Sequence, residues 1–339
     1  MQTPDAASAA NARLPDLSQT RISVAPMMDR TDRHFRFFVR LIAPHVRLYS
    51  EMLTTGALLH GDPQRHLAFN AAEHPLALQL GGSEPDALAQ AARMGEEWGY
   101  DEINLNIGCP SERVQSGAFG ACLMAEPQHV ADCVQAMAEV VAIPVTVKTR
   151  CGINEHDDYD FVQAFIATVA AAGCDMFIVH ARKAILGGLS PRQNLQIPPL
   201  RYPMVYQLKK DFPGLRIILN GGVRSTAEVQ VHLREVDGVM IGRQAYKDPY
   251  WLGDLNQFCV DTGQGAATLS RDQVLEELAS YAADQLEQGV KMHRITRHIL
   301  GLYNGASGAR KWRRYLCEKQ DTAAGPERIR RSAELMAGR

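Results

Sequence analysis

Apolar and β-branched residues gather along the chain in eight short runs, each closing on residues that do not belong in a packed strand. They read ISVAPM from residue 22, VRLYSEM from 46, LALQLGG from 76, EINLNIGCP from 102, VTVKTR from 145, MFIVHAR from 176, RIILNGG from 216 and GVMIGR from 238. Short apolar runs bounded by Gly, Pro and Asn read as strands. Between them apolar residues return at spacings of three and four, as in EPDALAQAARMGEEW (84–98) and PQHVADCVQAMAEVV (127–141), the second opening on a proline. That is the helical period with a helix-start signal. Eight strands alternating with helices over about 225 residues predict an α/β chain built as a TIM (β/α)8 barrel. An open doubly wound sheet would show one dominant Gly-rich turn, whereas here nearly every strand end carries polar or special residues.

Beyond residue 268 the pattern changes. SRDQVLEELASYAADQLEQG and the segments after it read as helices with no strand between them, Ser270 standing as an N-cap and Gly289 as a stop. The chain therefore divides into a loose tail over 1–20, a barrel over 21–262 and a small all-helical domain over 268–339. In a barrel the strand ends converge on one face, so Met27, Gln79, Asn106, Lys148, His180, Asn220 and Arg243 are expected around one pocket.

Composition adds little until charge is divided along the chain. At 46% hydrophobic and 22% charged, the 339 residues are ordinary for a globular protein. No apolar run reaches the roughly 18 residues of a membrane span, and the N-terminus lacks the basic start and apolar core of a signal peptide. The seven cysteines form no CxxC pair. Reduced thiols, no metal site and a cytoplasmic monomer are the expectation. From Arg271 onward there are 13 Lys and Arg against 9 Asp and Glu, net +4, which leaves 23 against 29, net −6, before it. Lys291 to Tyr315 hold seven Lys and Arg and no acid, so positive potential is local. The acidic NEHDDYD (154–160) reads as a solvated loop entering a helix N-terminus rather than a metal site.

The strand ends carry the chemistry. NGGV (220–223) and GR (242–243) follow the seventh and eighth strands, where barrels commonly hold a phosphate: glycines admit backbone N–H groups, and Arg243 offers a fork of donors. Substrate or flavin mononucleotide (FMN) could own that phosphate. Lys148 favours flavin, because a cation at the pyrimidine edge of the ring stabilises its reduced, anionic form. Gln79 offers that edge a donor and an acceptor, and Ala25, Pro26 and Met27 an apolar shelf. Cys109, in the rigid loop Asn106-Ile107-Gly108-Cys109-Pro110, carries a thiol able to act as an acid.

These segments, SVAPMMDRTDRHFR, LALQLGG, DEINLNIGCPSERVQSGAFGACLM, VTVKTRCGI, VHARKA, LNGGV and GVMIGR, resemble the tRNA-dihydrouridine synthase family in order and spacing. HARKAILGGLSPRQNLQIPPL and GARKWRRYL resemble its A subfamily. The resemblance implies FMN, reduced by NADPH, saturating the 5,6 double bond of tRNA uridines, with D-loop positions 20 and 20a implied by the subfamily. Hydride would pass to uracil carbon 6 and a proton from Cys109 to carbon 5. It places Lys148 and His180 at flavin and substrate, Gln79 on the flavin ring, and Asn220, Gly221, Gly222, Gly242 and Arg243 at the phosphate.

Such a substrate explains the basic segment. Arg310, Arg313 and Arg314 share a helical face with Lys311 and Trp312 beside them, and Arg294, Arg297 and His298 form a second group. Arg182, Lys183 and Arg192, after the sixth strand, add candidate tRNA contacts from the barrel, as does Asn106 at the mouth. Two rivals remain from sequence alone: a flavin barrel reductase acting on a small molecule, which needs no cationic platform, and a non-catalytic RNA-binding protein, which needs neither Cys109 nor Lys148.

Overall fold

The structure is a computed structural model describing residues 20–259, 268–318 and 325–337. Apart from Thr20, the tail expected over 1–20 lies outside these, as does the join near residue 262. Nine strands form one parallel sheet: β1 (Ile22–Val24), β2 (Leu48–Tyr49), β3 (Leu53–Thr54), β4 (Leu76–Gly81), β5 (Glu102–Asn106), β6 (Val145–Arg150), β7 (Met176–His180), β8 (Arg216–Asn220) and β9 (Gly238–Ile241). Their order is β1-β9-β8-β7-β6-β5-β4-β2. A bridge from Ser23 to Arg47 joins β1 to β2 and closes the ring. This is the expected eight-stranded (β/α)8 barrel, followed by helices. Only the second run differs: its strand stops at Tyr49, and a further short strand just past the run, Leu53–Thr54, pairs with the far end of β4.

Strand periodicity sorts the side chains. Leu76, Leu78 and Leu80 of β4, Ile103 and Leu105 of β5 and Phe177 and Val179 of β7 join the layer between sheet and helices. The alternate positions fill the barrel, where Ala25, Tyr49, Ala77, Met176, Ile178, Ile218 and Met240 form a separate small core. The same alternation puts Gln79, Asn104, Glu102, Thr146, Lys148, Arg150, His180 and Asn220 on the inward set. So the barrel interior is unusually polar, and its upper rim is the site.

The helices expected over 84–98 and 127–141 run Pro85–Glu97 and Pro127–Ala138. Asp158 caps the helix Tyr159–Ala171, while Asp157 pairs with Lys183 and Arg201, so the acidic loop is spent on a cap and ion pairs. After the barrel come Arg271–Glu287, His293–Ile299, Ala309–Cys317 and Glu327–Ala337. Ser270 and Gln273 form a capping box at the first, and Gly289 follows its end with φ +81°.

These helices dock on the helix Arg33–Ile42. Phe37 stacks on Tyr281 with ring centroids 4.0 Å apart, and His34 Nδ1 lies 2.8 Å from the Tyr281 hydroxyl. Asp32 fastens the seam. One oxygen caps the helix at the His34 and Phe35 amides and meets the buried His298 Nε2 at 2.9 Å, while the other takes Arg297 at 2.7 Å. Burial raises the Asp32 carboxyl, but the His298 hydrogen bond and its companions outweigh it and hold the group well below the carboxylate range. Asp32→Ala should therefore lower unfolding stability by about 2–4 kcal/mol, the sum of a lost cap and two orphaned donors. Asp32→Asn should keep most of the cap, and urea unfolding of both variants measures the difference.

Candidate active site

Cys109 sits half-buried in a loop gripped from several sides. The Asn106 carboxamide oxygen accepts from the Gly108 and Cys109 amides at 3.1 and 2.9 Å. Arg150 Nε donates to the Gly108 carbonyl at 2.7 Å, and the Ala121 amide to the Cys109 carbonyl at 3.0 Å. Gln115 holds the Pro110 carbonyl at 2.8 Å. Ser111 caps the next helix, and its hydroxyl lies 3.6 Å from the Cys109 sulfur. Gly120 allows this closeness: it has φ +77°, and a Cβ there would meet the Cys109 carbonyl at 2.8 Å. The loop backbone that carries the thiol is thus fixed by these contacts, and the residue stays half-buried.

The register carries the ring onward: Asn106 pairs with Lys148, Arg150 with His180, and His180 with Asn220. Among the described residues no carboxylate pairs with Lys148. Burial pushes its ammonium down and neighbouring Arg150 adds to this, against a weak opposing pull from Cys109, to about 7. Arg150, itself buried, falls to about 10 for the same first reason. His180 is driven well below its ordinary value by burial, then by Arg150, Lys148 and Arg182, so its imidazole is neutral. Its Nδ1 is buried without a hydrogen-bond partner. A site so rich in unpaired cations and orphaned polarity fits an anionic, hydrogen-bonding ligand.

The other half of the ring carries the glycine turns. Gly221 and Gly222 have φ +117° and +79°, and a Cβ on Gly222 would strike Leu200 at 2.6 Å. Above Gly242 the only atoms near an added Cβ are Ala25 Cβ at 3.7 Å and Met27 Sδ at 4.0 Å, so the glycine opens on the shelf expected of Ala25, Pro26 and Met27. The helix Arg243–Lys247 begins there without a side-chain cap, its Ala245 amide bonding back to the Gly242 carbonyl at 2.9 Å. Arg243 is exposed and reaches the Leu195 carbonyl at 3.1 Å. Arg224 and Arg192 stand near enough to Arg243 to depress its guanidinium after burial has done so, and Arg243 and Arg224 act likewise on Arg182.

The remaining predicted residues are placed less uniformly. Gln79 and Asn220 are buried, the first bonded to Asn104 and Asn106, the second donating to the Met240 carbonyl at 2.8 Å. Lys183 is taken by the Asn154 carbonyl and Asp157, and Arg182 by the Pro198 carbonyl. Arg297 is taken by Asp32, and His298 is buried, so the second basic group reduces to exposed Arg294. On Ala309–Cys317 the expectation holds geometrically: Ala309, Trp312 and Leu316 face the core while Arg310, Lys311, Arg313 and Arg314 are exposed. Trp312 itself is core, packed edge-on against Tyr303 at 4.7 Å. Arg150 and Arg224 were not foreseen, although Arg150 stands two residues past Lys148 and so on the same strand face.

Comparison with known proteins now has a site to bear on. Residues 23–335 match the dihydrouridine synthase (Dus) family. The chain belongs to that family. It is 56% identical over 296 residues to the tRNA-dihydrouridine(20/20a) synthase of Shewanella oneidensis, covering 87% of this chain and 88% of that one. It is 53% identical over 336 residues to the protein of the same name from Pseudomonas putida, 99% of each chain, and 54% identical over 304 residues to that of Escherichia coli K12, 89% and 87%. The resemblance seen in the motifs is borne out, and with it an oxidoreductase.

Lys148 supplies a pH test. Its folded value of about 7 lies below the ordinary 10.5. Between the two the unfolded chain holds a proton that the folded chain lacks, so this group makes stability rise with pH across that window. In flavin-free protein, Lys148→Met should remove that rise. Unfolding midpoints at several pH values from about 6.5 to about 10 check it, and parallel profiles for the two proteins would refute it.

Proposed function

We propose that this protein is an FMN-dependent tRNA-dihydrouridine synthase that uses NADPH to reduce uridines at positions 20 and 20a of the tRNA D loop. The observation that carries the reading is the convergence, on one barrel mouth, of the Cys109 thiol, the Lys148 ammonium and the Gly221–Gly222 and Gly242–Arg243 phosphate cradle. The relatives named above are called tRNA-dihydrouridine(20/20a) synthases, and one of them matches over 99% of this chain.

The residues fit FMN: the glycine turns, Asn220 and Arg243 would hold its phosphate, Lys148 and Gln79 its pyrimidine edge, and Ala25, Pro26 and Met27 one flank. When bound, it would supply hydride for uracil carbon 6 and be reduced again by NADPH. Cys109 gives its S–H proton to carbon 5, so one double bond becomes one single bond and two C–H bonds. The thiolate left behind must take a proton back before the next turnover. His180, neutral, can hydrogen-bond without adding to an already cationic site. No described helix is long and apolar enough to cross a membrane.

A D-loop uridine must leave its stack to reach this mouth, at a cost of a few kcal/mol. Contacts elsewhere on the tRNA have to offset that cost, and the exposed face of Arg310, Lys311, Arg313 and Arg314, with Arg192 and Arg294, suits a phosphate backbone. A small-molecule reductase would have no use for it.

Two measurements test the reading. Cys109→Ala should bind FMN and accept electrons from NADPH normally, while dihydrouridine formation falls by about 10²–10⁴-fold, the range for a lost general acid. Mass mapping of tRNA after incubation with each protein reads this, and equal product from both would exclude the acid role. Replacing Arg310, Arg313 and Arg314 together by Ala should weaken tRNA binding and flatten its salt dependence, by up to about 0.9 log unit of slope for each phosphate no longer neutralised. NADPH oxidation should not change. An unaltered salt slope in a folded triple variant would move the tRNA to another surface.

A further inference from the structure

The interior of the barrel holds a continuous line of polar side chains. At its floor Arg47 Nη1 donates to Glu102 Oε2 at 2.8 Å, and the Tyr49 and Thr146 hydroxyls reach Glu102 Oε1 at 3.1 and 2.5 Å. Above it Asn104 Nδ2 donates to Thr146 Oγ1 at 2.8 Å, Gln79 Nε2 to Asn104 Oδ1 at 2.8 Å and Asn106 Nδ2 to Gln79 Oε1 at 2.9 Å. The line ends where Asn106 Oδ1 receives the Gly108 and Cys109 amides.

Each carboxamide in this line has two nearly isosteric ends, so something must decide which way it points. The carboxylate decides. Guanidinium only donates and carboxylate only accepts, so Thr146 spends its single hydroxyl proton on Glu102 at 2.5 Å in preference to the Ile103 carbonyl at 3.5 Å. Toward Asn104 it can then only accept, which obliges Asn104 to present its NH2. Asn104 thereby turns its oxygen to Gln79, Gln79 its oxygen to Asn106, and Asn106 its oxygen to the loop. Were any link reversed, two donors or two acceptors would face each other, and Asn104 and Thr146 are fully buried and Gln79 nearly so, beyond help from water. Of the other clamps on the loop, Arg150, Ala121 and Gln115 hold carbonyls and the Lys148 carbonyl takes the Ile107 amide, leaving the Gly108 and Cys109 amides to Asn106.

We propose that Thr146 is a positioning residue for the proton-donating loop, relaying the polarity of the Arg47–Glu102 pair through Asn104, Gln79 and Asn106 to the backbone of Cys109. Thr146→Val keeps the shape and removes the relay, whereas Thr146→Ser keeps the hydroxyl. Hydrogen–deuterium exchange over residues 107–111 should quicken about tenfold in the Val protein, the equivalent of one weakened hydrogen bond. It should stay within about twofold of the parent in the Ser protein, and the strands 145–150 and 176–180 should be unmoved in both. A second arm rests on the function proposed above: single-turnover dihydrouridine formation by the reduced enzyme should slow about tenfold in Thr146→Val, with tRNA affinity unchanged, and recover in Thr146→Ser. If the parent made no dihydrouridine, the functional reading would fail while the exchange arm still judged the relay. Unchanged loop exchange in the Val protein, or equal losses in Val and Ser, overturns the proposal. Should Thr146→Val not fold, the neutral pair Arg47→Met with Glu102→Gln must loosen the same loop, and unchanged exchange there overturns it equally.

Discussion

A carboxylate at the floor of a barrel is expensive to desolvate, and the interior of this protein is organised around meeting that cost. Glu102 has a guanidinium, a phenol and a hydroxyl on its two oxygens. A pair of buried charges seldom adds net stability over an apolar filling, but removing one partner is severe. Once Glu102 and Arg47 occupy the floor, the layer above cannot be purely apolar, because Thr146 and Asn104 carry hydrogen-bonding capacity that must be met inside. The polar requirement climbs layer by layer until it meets the loop of Cys109. Tyr49, Ala77, Ile178, Ile218 and Met240 fill the remaining volume and keep water from competing.

At the rim the balance is reversed. Lys148, Arg150, Arg182, Arg224 and Arg243 crowd there, and the nearby acid Asp157 is already shared by Lys183 and Arg201. The barrel spends its acids low and leaves its cations high. Burial is the first cause of the common downward push on Lys148, Arg150, Arg182 and Arg243, and repulsion from neighbouring cations adds to it; both are unfavourable free energy that an anionic ligand offsets. Binding of an anion and stability of the fold are therefore linked, as mass action requires of any ligand that prefers the folded chain.

Most of this was legible in the sequence because strand ends announce themselves. VTVKTR and EINLNIGCP alternate cleanly, so Lys148 and Asn106 fall on the inward face by counting. Arg150 obeys the same count but reads as the start of a loop, and only its Gly108 contact shows its use. The short strand Leu53–Thr54 was hidden, since nothing in VRLYSEM marks where pairing with β4 lapses after Tyr49, and nothing beyond the run marks that it resumes at Leu53. Arg297 shows a different limit. Its spacing from Arg294 is right for a cationic face, yet Asp32, far away in sequence, claims it, and helical periodicity carries no information about such a partner.

That claim has a mechanical side. Asp32 lies a few residues beyond the shelf residue Met27, whose carbonyl takes the Arg30 and Thr31 amides at 3.0 Å in a tight turn with Asp29 at φ +59°. The same carboxylate that starts the helix Arg33–Ile42 also anchors Arg297 and His298 of the C-terminal helices. Tyr246, from the short helix that follows the Gly242–Arg243 turn, reaches His298 at 3.1 Å and has Arg30 over its ring at 4.5 Å. One small cluster thus ties the Met27 turn, the helix after Gly242–Arg243 and the helix His293–Ile299 together. An adjustment of the helices against a tRNA backbone would bear on the mouth through these contacts and through no long relay.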